Sequence, residues 1–353
     1  MPTYRIINSS LDAGSRYVYL AKHLDLLLRQ HEWIPSDTRP DYIFIIDAVG
    51  ASDNDAANVF YVIFISDVVK HYCNIAANKG KYLIIRDIDI NITIPSRTCV
   101  QFISYPLPYV DSYKQSEAHI NNIFVSCRGR IFQNCTLLKL VMPFNKLSHA
   151  TVIFDSCDYA ISKTVNDNVA VIDVKDDIST FVTKSDLIVG SGLAIVEAII
   201  QKKLFIIVGE TGYGGIPDAR NILKYHDTFF SGNIGGNLFE PIPTTLLLED
   251  VSNIANNKVE YNLADYGEIL SQKSYTSLEN AISTFSIGGN VVFNTDYTII
   301  AKEGRYILLN RYNRKVIDEL DQHTAFCISN GDISQIEKTR IDYLQSKCIL
   351  ISK

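Results

Sequence analysis

The residues best able to do chemistry lie between Ser185 and Asn221, in the run SDLIVGSGLAIVEAIIQKKLFIIVGETGYGGIPDARN. An apolar run, Leu187–Val189, meets Gly190-Ser191-Gly192, and a helical pattern begins at once. Glycines at such a turn let a ligand approach the backbone. The unpaired N–H groups of the helix start favour an anion such as phosphate. Glu197 follows about a turn and a half into that helix, where a carboxylate can accept hydrogen bonds from a ribose diol. A second apolar run, Leu204–Val208, ends in Gly209-Glu210-Thr211-Gly212-Tyr213-Gly214-Gly215. Two glycine-bearing loops at the carboxyl ends of neighbouring strands would line one crevice, the place where open α/β sheets bind ligands. Tight turns alone would also explain the glycines.

Three further candidates end apolar runs. Asp47 closes Tyr42–Ile46, while Arg86 and Asp87 close Tyr82–Ile85. A strand-end carboxylate can deprotonate an acceptor hydroxyl, and a nearby arginine favours its ionised form. A salt bridge or loop cap is the plainer role for the same residues.

These side chains need elements to hold them. Tyr4–Asn8, Tyr42–Ile46 and Tyr82–Ile85 read as strands, with helical patterns from Ser15 to Leu28 and from the loop after Asp47 through about Asn78. A second series follows the polar stretch Asp111–Asn122: Ile123–Ser126, Thr151–Asp155, Val169–Val174, Leu187–Val189 and Leu204–Val208. Helices are expected over Asp177–Thr183, Leu193–Ile200, Leu246–Asn256 and Asp265–Phe285. Short continuous apolar strands alternating with helices indicate parallel sheets covered on both faces. The tail changes character. Asn290–Asn294, Tyr297–Ala301 and Tyr306–Leu309 read as strands, Asn313–Leu320 and Ile333–Leu344 as helices, and Cys348–Ile351 as a last strand. The expected organisation is therefore α/β, with Rossmann-like units over 1–110 and 111–285 and a small α+β winged-helix-like module over 286–353.

With 353 residues, 47% hydrophobic, the chain can bury a sizeable core. Its 33 Lys+Arg against 39 Asp+Glu argue against bulk attraction to nucleic acid or an anionic membrane. No apolar run is long enough to span a bilayer and no secretory signal opens the chain, so a cytoplasmic protein is expected. The seven cysteines form no CxxC pair and read as small buried thiols; the seven histidines show no zinc spacing.

The run Gly190–Gly192, Glu197-Ala198 and Gln201–Gly209, followed by Gly212–Gly215, resembles the donor-binding half of GT-B glycosyltransferases of the family 4 type. Ile123–Arg130 (IFVSCRGR) resembles the strand and Gly-Arg that open their second Rossmann domain, and Asp12-Ala13-Gly14-Ser15 resembles the loop facing their cleft. The resemblance implies transfer of a sugar from a nucleotide-sugar donor, with no cofactor or metal required. Arg130 and Gly190–Gly192 would bind the diphosphate, Glu197 the ribose, and Glu210 with Gly212, Tyr213, Gly214 and Gly215 the sugar or phosphate side. Gly14 would let the backbone approach a phosphate or acceptor.

In the tail, YTIIAKEGRYILLN and the following RKVIDELD resemble a PqqD-like peptide-recognition module. That resemblance implies a precursor or leader peptide added as a strand, with Tyr306, Ile307, Leu308 and the helix around Ile317 as the groove. A structural or dimerising tail, giving a homodimer, is the alternative. Two rival functions share the fold: an inactive GT-B-like scaffold that binds a peptide or partner enzyme, and a sugar-nucleotide epimerase.

Overall fold

The computed structural model describes residues 1–8, 15–46, 58–68, 81–87, 99–109, 120–130, 132–147, 149–174, 177–259, 263–287, 291–293, 297–302, 305–310, 316–325, 340, 343–344 and 350–352. Gly14 and Asp47 lie outside them, as does most of the helix expected over Ile333–Leu344.

The first unit contains β1 (Thr3–Asn8), α1 (Arg16–Gln30), β2 (Ile34–Pro35), β3 (Tyr42–Ile46), β4 (Val59–Phe64), β5 (Lys81–Ile85) and β6 (Cys99–Ile103). All six strands pair in parallel in the order β2-β1-β3-β4-β5-β6. Ser15 starts α1 by accepting the Tyr17 N–H on its side chain, and Leu20, Leu24, Leu27 and Leu28 bury one face. Val59–Phe64 is a strand where a helical pattern was expected. Its β-branched and aromatic residues are buried on both sheet faces, so the apolar run has no amphipathic period to read.

The second unit has β7 (Asn122–Ser126), α2 (Gln133–Phe144), β8 (Thr151–Asp155), α3 (Tyr159–Thr164), β9 (Val169–Ile172), α4 (Ile178–Lys184) and β10 (Leu187–Gly190). It continues through α5 (Leu193–Ile200), β11 (Leu204–Gly209), β12 (Gly212–Gly215), α6 (Ile222–Asp227), α7 (Thr244–Ala255) and α8 (Leu263–Ile287). Its sheet order is β12-β11-β10-β7-β8-β9, parallel except for β12. The chain steps outward from β7 through β8 to β9, then returns to the other side of β7. That reversal puts a topological switch point between β7 and β10. The architecture is thus two Rossmann-like parallel sheets, the arrangement expected of a GT-B fold. Among the described residues, no helix is long and apolar enough to cross a membrane.

The tail forms an antiparallel pair of β13 (Val291–Phe293) with β17 (Leu350–Ser352), and a three-stranded antiparallel sheet. The latter orders β14 (Tyr297–Lys302), β15 (Arg305–Asn310) and β16 (Val316–Leu320). Val316–Leu320 was expected to be helical and is a strand. Arg, Lys, Glu and Leu favour a helix locally, but pairing such as Ile307↔Glu319 and Leu308↔Asp318 overrides propensity.

One main core joins both units: Leu20, Leu24 and Phe64 of the first share a cluster with Leu193, Ala194 and Phe229 of the second. The segment after β6 is tied to the second unit at the Tyr105 carbonyl. It accepts from His226 Nε2 at 2.8 Å and Ser274 Oγ at 2.9 Å. Burial pulls the His226 pKa down to about 4 from 6.5, so the ring folds neutral. The unfolded chain therefore binds the extra proton between about pH 6.5 and 4, and folding stability falls with pH through that window. The expected loss is about 3 kcal/mol. Urea midpoints of wild type and His226→Gln at pH 7 and pH 4 measure it. The variant should lose less on acidification, and an equal loss in both would exclude His226 as its source.

Candidate functional site

The crevice at the switch point is built by two loops that touch. β7 runs into Cys127-Arg128-Gly129-Arg130, and β10 runs into Ser191-Gly192 at the start of α5. Ser191 N–H bonds the Ser126 carbonyl at 3.2 Å, and Leu193 N–H bonds the Arg128 carbonyl at 3.0 Å. A Cβ on Gly190 would lie 1.7 Å from the Ser126 oxygen. One on Gly192, at φ +62, would lie 2.7 Å from the Arg128 oxygen and 2.9 Å from Arg130 Cδ. These glycines are needed first for the close approach of the two loops. The same abutment brings the α5 N-terminus to the Arg130 stem.

Arg130 is fully committed. Its side chain is 0% exposed and its Nε donates to both Glu210 oxygens, at 2.9 and 3.1 Å. One terminal nitrogen also donates to Glu210, and the other to the Thr228 carbonyl at 3.1 Å. The predicted diphosphate ligand and the predicted sugar-side acid are therefore each other's partners. Arg128 is paired too, donating to both Asp155 oxygens at 3.0 Å. Burial raises the Asp155 carboxyl above its ordinary value against the pull of Arg128. Cys127 is buried while Cys135 and Cys157 are exposed, so the thiols are not uniformly core as expected. Burial pushes the Cys127 thiol up to about 12.

Across the crevice lies α1, which presents Arg16, Tyr19 and His23 to the second unit. An i, i+3, i+7 spacing puts these on one helical face. Arg16 donates to the Gly129 carbonyl at 2.9 Å. The Tyr19 hydroxyl donates to Asp177 and accepts from the Ile178 N–H at 3.0 Å. His23 Nε2 lies 3.1 Å from Glu197 Oε1, and its Nδ1 lies 3.0 Å from the Tyr105 hydroxyl. The Nε2 N–H donates to Glu197, while Nδ1 bonds the Tyr105 hydroxyl. Burial pushes the Glu197 carboxyl up, but the bond and charge of His23 and the Gln201 amide outweigh it, leaving the pKa below its ordinary value.

The strand-end pair Arg86 and Asp87 does not form a mutual salt bridge. Asp87 is buried and receives Arg16 at 2.6 Å and the Ser66 N–H at 3.0 Å. Arg86 instead lies over the Phe102 ring, 4.5 Å from its centroid. Gly212, Tyr213, Gly214 and Gly215, expected as a loop, form edge strand β12. There the Tyr213 hydroxyl bonds Asp250, and the Gly214 carbonyl accepts from Tyr225 at 2.7 Å. In the tail, Tyr306 and Ile307 are half-buried and Leu308 is buried on central strand β15, while Ile317 lies on outer strand β16.

The residues that sequence reasoning missed are Arg16, His23, Asp67, Tyr105 and Asp177. One signal was present: His23 interrupts the apolar stripe of Leu20, Leu24 and Leu27, and a polar group on a buried face needs a partner. Among the described residues, no group of three His, Cys, Asp or Glu is placed to hold a metal ion.

No family model and no curated protein matches the chain. Solved structures do match. HepE of Anabaena, in complex with UDP and glucose, is 14% identical; the match covers 81% of this chain and 100% of that one, with a TM-score of 0.49. A mutant of S. aureus TarM, in complex with fondaparinux, alpha-GlcNAc-glycerol and UDP, is 14% identical over 75% of this chain, with a TM-score of 0.41. This chain spans 58% of that chain's length. A glycosyltransferase of Rickettsia africae is 12% identical over 81% of this chain and 97% of its own, with a TM-score of 0.40.

Proposed function

We propose that the chain is a glycosyltransferase that binds a nucleoside-diphosphate sugar at the β7/β10 switch point and passes the sugar to an acceptor on the first unit's side. In this reading, residues 1–110 serve the acceptor, 111–285 the donor, and 286–353 are accessory. The observation that carries it is the position of Glu197. It sits in the second turn of a helix that opens on a glycine turn at the switch point, with its carboxylate at the boundary between the two units. The α5 N-terminus supplies positive potential for the diphosphate, and Glu197 takes the ribose hydroxyls in place of His23. Donor binding thus exchanges one partner of Glu197 for another and loosens α1 from the second unit. Stabilising the departing diphosphate, with no covalent intermediate, would supply the acceleration.

A peptide acceptor would dock in the tail by strand addition. The sheet order leaves β14 and β16 outermost, so such a peptide would align beside Ile317 on β16 rather than beside Tyr306–Leu308 on central β15.

The test is a thermal-shift panel of nucleoside diphosphates and nucleotide sugars on wild type, Glu197→Ala and His23→Gln. A ligand at ~100 times its Kd should add about 2.7 kcal/mol. Glu197→Ala should weaken the responding nucleotide ~10–100-fold, the worth of hydrogen bonds to a charged group. His23→Gln should leave its affinity unchanged or raise it. No response to any nucleotide would favour the inactive scaffold, and conversion of donor without acceptor would favour the epimerase.

A further inference from the structure

Strand β5 ends in two neighbours that serve different places: Asp87 meets Arg16 at the switch point, and Arg86 faces a groove of about 800 Å³. The groove runs between the end of β6, helix α6 and helix α8, so both units and the segment joining them form its walls. Its floor is apolar, made by Phe102, Ile103, Leu223 and Ile269. Phe102 is 40% exposed, with the Arg86 guanidinium over its ring.

The charges in the groove are unequal in what they have left to offer. Lys273 is occupied by Asp227 and by the Leu223 carbonyl at 3.0 Å. Among the described residues, no carboxylate pairs with Arg86. The ring contact holds the guanidinium beside the groove, and its N–H fork is the group that recognises a carboxylate or phosphate. Gln272 and Thr276, one turn apart on α8, add neutral hydrogen-bonding groups to the wall. Glu268, one turn before Gln272, is exposed and acidic, and it disfavours a ligand carrying more than one negative charge.

We propose that this groove is a binding site for a small amphiphilic monoanion, its apolar body on Phe102, Ile103, Leu223 and Ile269 and its single charge on Arg86. A carboxylate and a phosphodiester share that chemistry. The site lies outside the nucleotide crevice and does not rest on the glycosyltransferase reading, so binding is expected with no nucleotide present.

Calorimetric titration of the full chain with octanoate, dibutyl phosphate and neutral octanol tests this. At least one anion should bind, and octanol should bind at least tenfold more weakly. Arg86→Gln should weaken the anion at least tenfold and leave octanol unchanged, as expected for loss of a charge-assisted bond. Thr276→Trp, an exposed position whose indole would fill the groove, should block the anion in a protein whose melting temperature is unchanged. Binding of only one anion identifies the head group. Equal affinity for octanol and the anions, an Arg86→Gln variant that binds as wild type, or no binding of any of the three would each overturn the proposal.

Discussion

Glu210→Ala is expected to cost about 3–5 kcal/mol of folding stability, because it leaves the Arg130 guanidinium charged and buried without its counter-ion. Both side chains are almost wholly excluded from solvent, at 0% and 1% exposure. The Thr228 and Phe229 carbonyls that also accept from Arg130 cannot supply the missing charge. Arg130→Ala should cost a similar amount by stranding the carboxylate. The pair need not be stabilising overall, since an apolar substitute of similar volume often replaces a buried ion pair without loss. Arg130→Met with Glu210→Leu should therefore be more stable than either single alanine variant. Denaturant unfolding of the four proteins measures this. If either single alanine variant stays within about 1 kcal/mol of wild type, the pair is more hydrated than its burial indicates.

The same pair separates a structural from a ligand-binding role for Arg130. An arginine that binds a diphosphate must give up Glu210 when the donor arrives. Glu210→Gln keeps hydrogen bonding but removes the competing charge, so nucleotide affinity should rise in that variant. Unchanged affinity in Glu210→Gln would make Arg130 a purely architectural tie between the β7 and β11 loops.

The strands were legible wherever burial on both faces wrote a continuous apolar run, as in Tyr42–Ile46, Leu187–Val189 and Leu204–Val208. The glycine turn before α5 and the position of Glu197 were legible for the same reason, being local. Val59–Phe64 failed because an apolar run of that length fits a buried strand or a buried helix equally well. Val316–Leu320 failed because its residues are recruited by cross-strand pairing with β15, which no local window contains. The partners of the site residues were illegible on principle: Arg130 and Glu210 are 80 residues apart, and His23 and Glu197 are 174 apart. A carboxylate placed correctly on its helix can face a ribose or a histidine, and only the packing of α1 against α5 distinguishes the two.

Arg16→Ala should be the second severe lesion. This guanidinium binds Asp67, Asp87 at 2.6 Å and Ser66 Oγ at 2.7 Å, and it reaches across to the Gly129 carbonyl at 2.9 Å. Its Cζ also lies 4.1 Å from the Phe64 ring centroid. Burial opposes its charge, but Asp87 and Asp67 more than restore it, raising the pKa above its ordinary value. Removing it leaves two buried carboxylates near one another with no cation between them, a loss of about 3–5 kcal/mol at pH 7. Protonating either acid relieves that repulsion, so the gap to wild type should narrow as the pH falls from 7 towards 4. Urea unfolding of both proteins across that range tests the sign, and a gap that widens on acidification would contradict it. Arg16 also ties the strand-end acids of the first unit to the Gly129 loop of the second. The variant should accordingly show a larger radius of gyration by solution scattering at pH 7, before it unfolds.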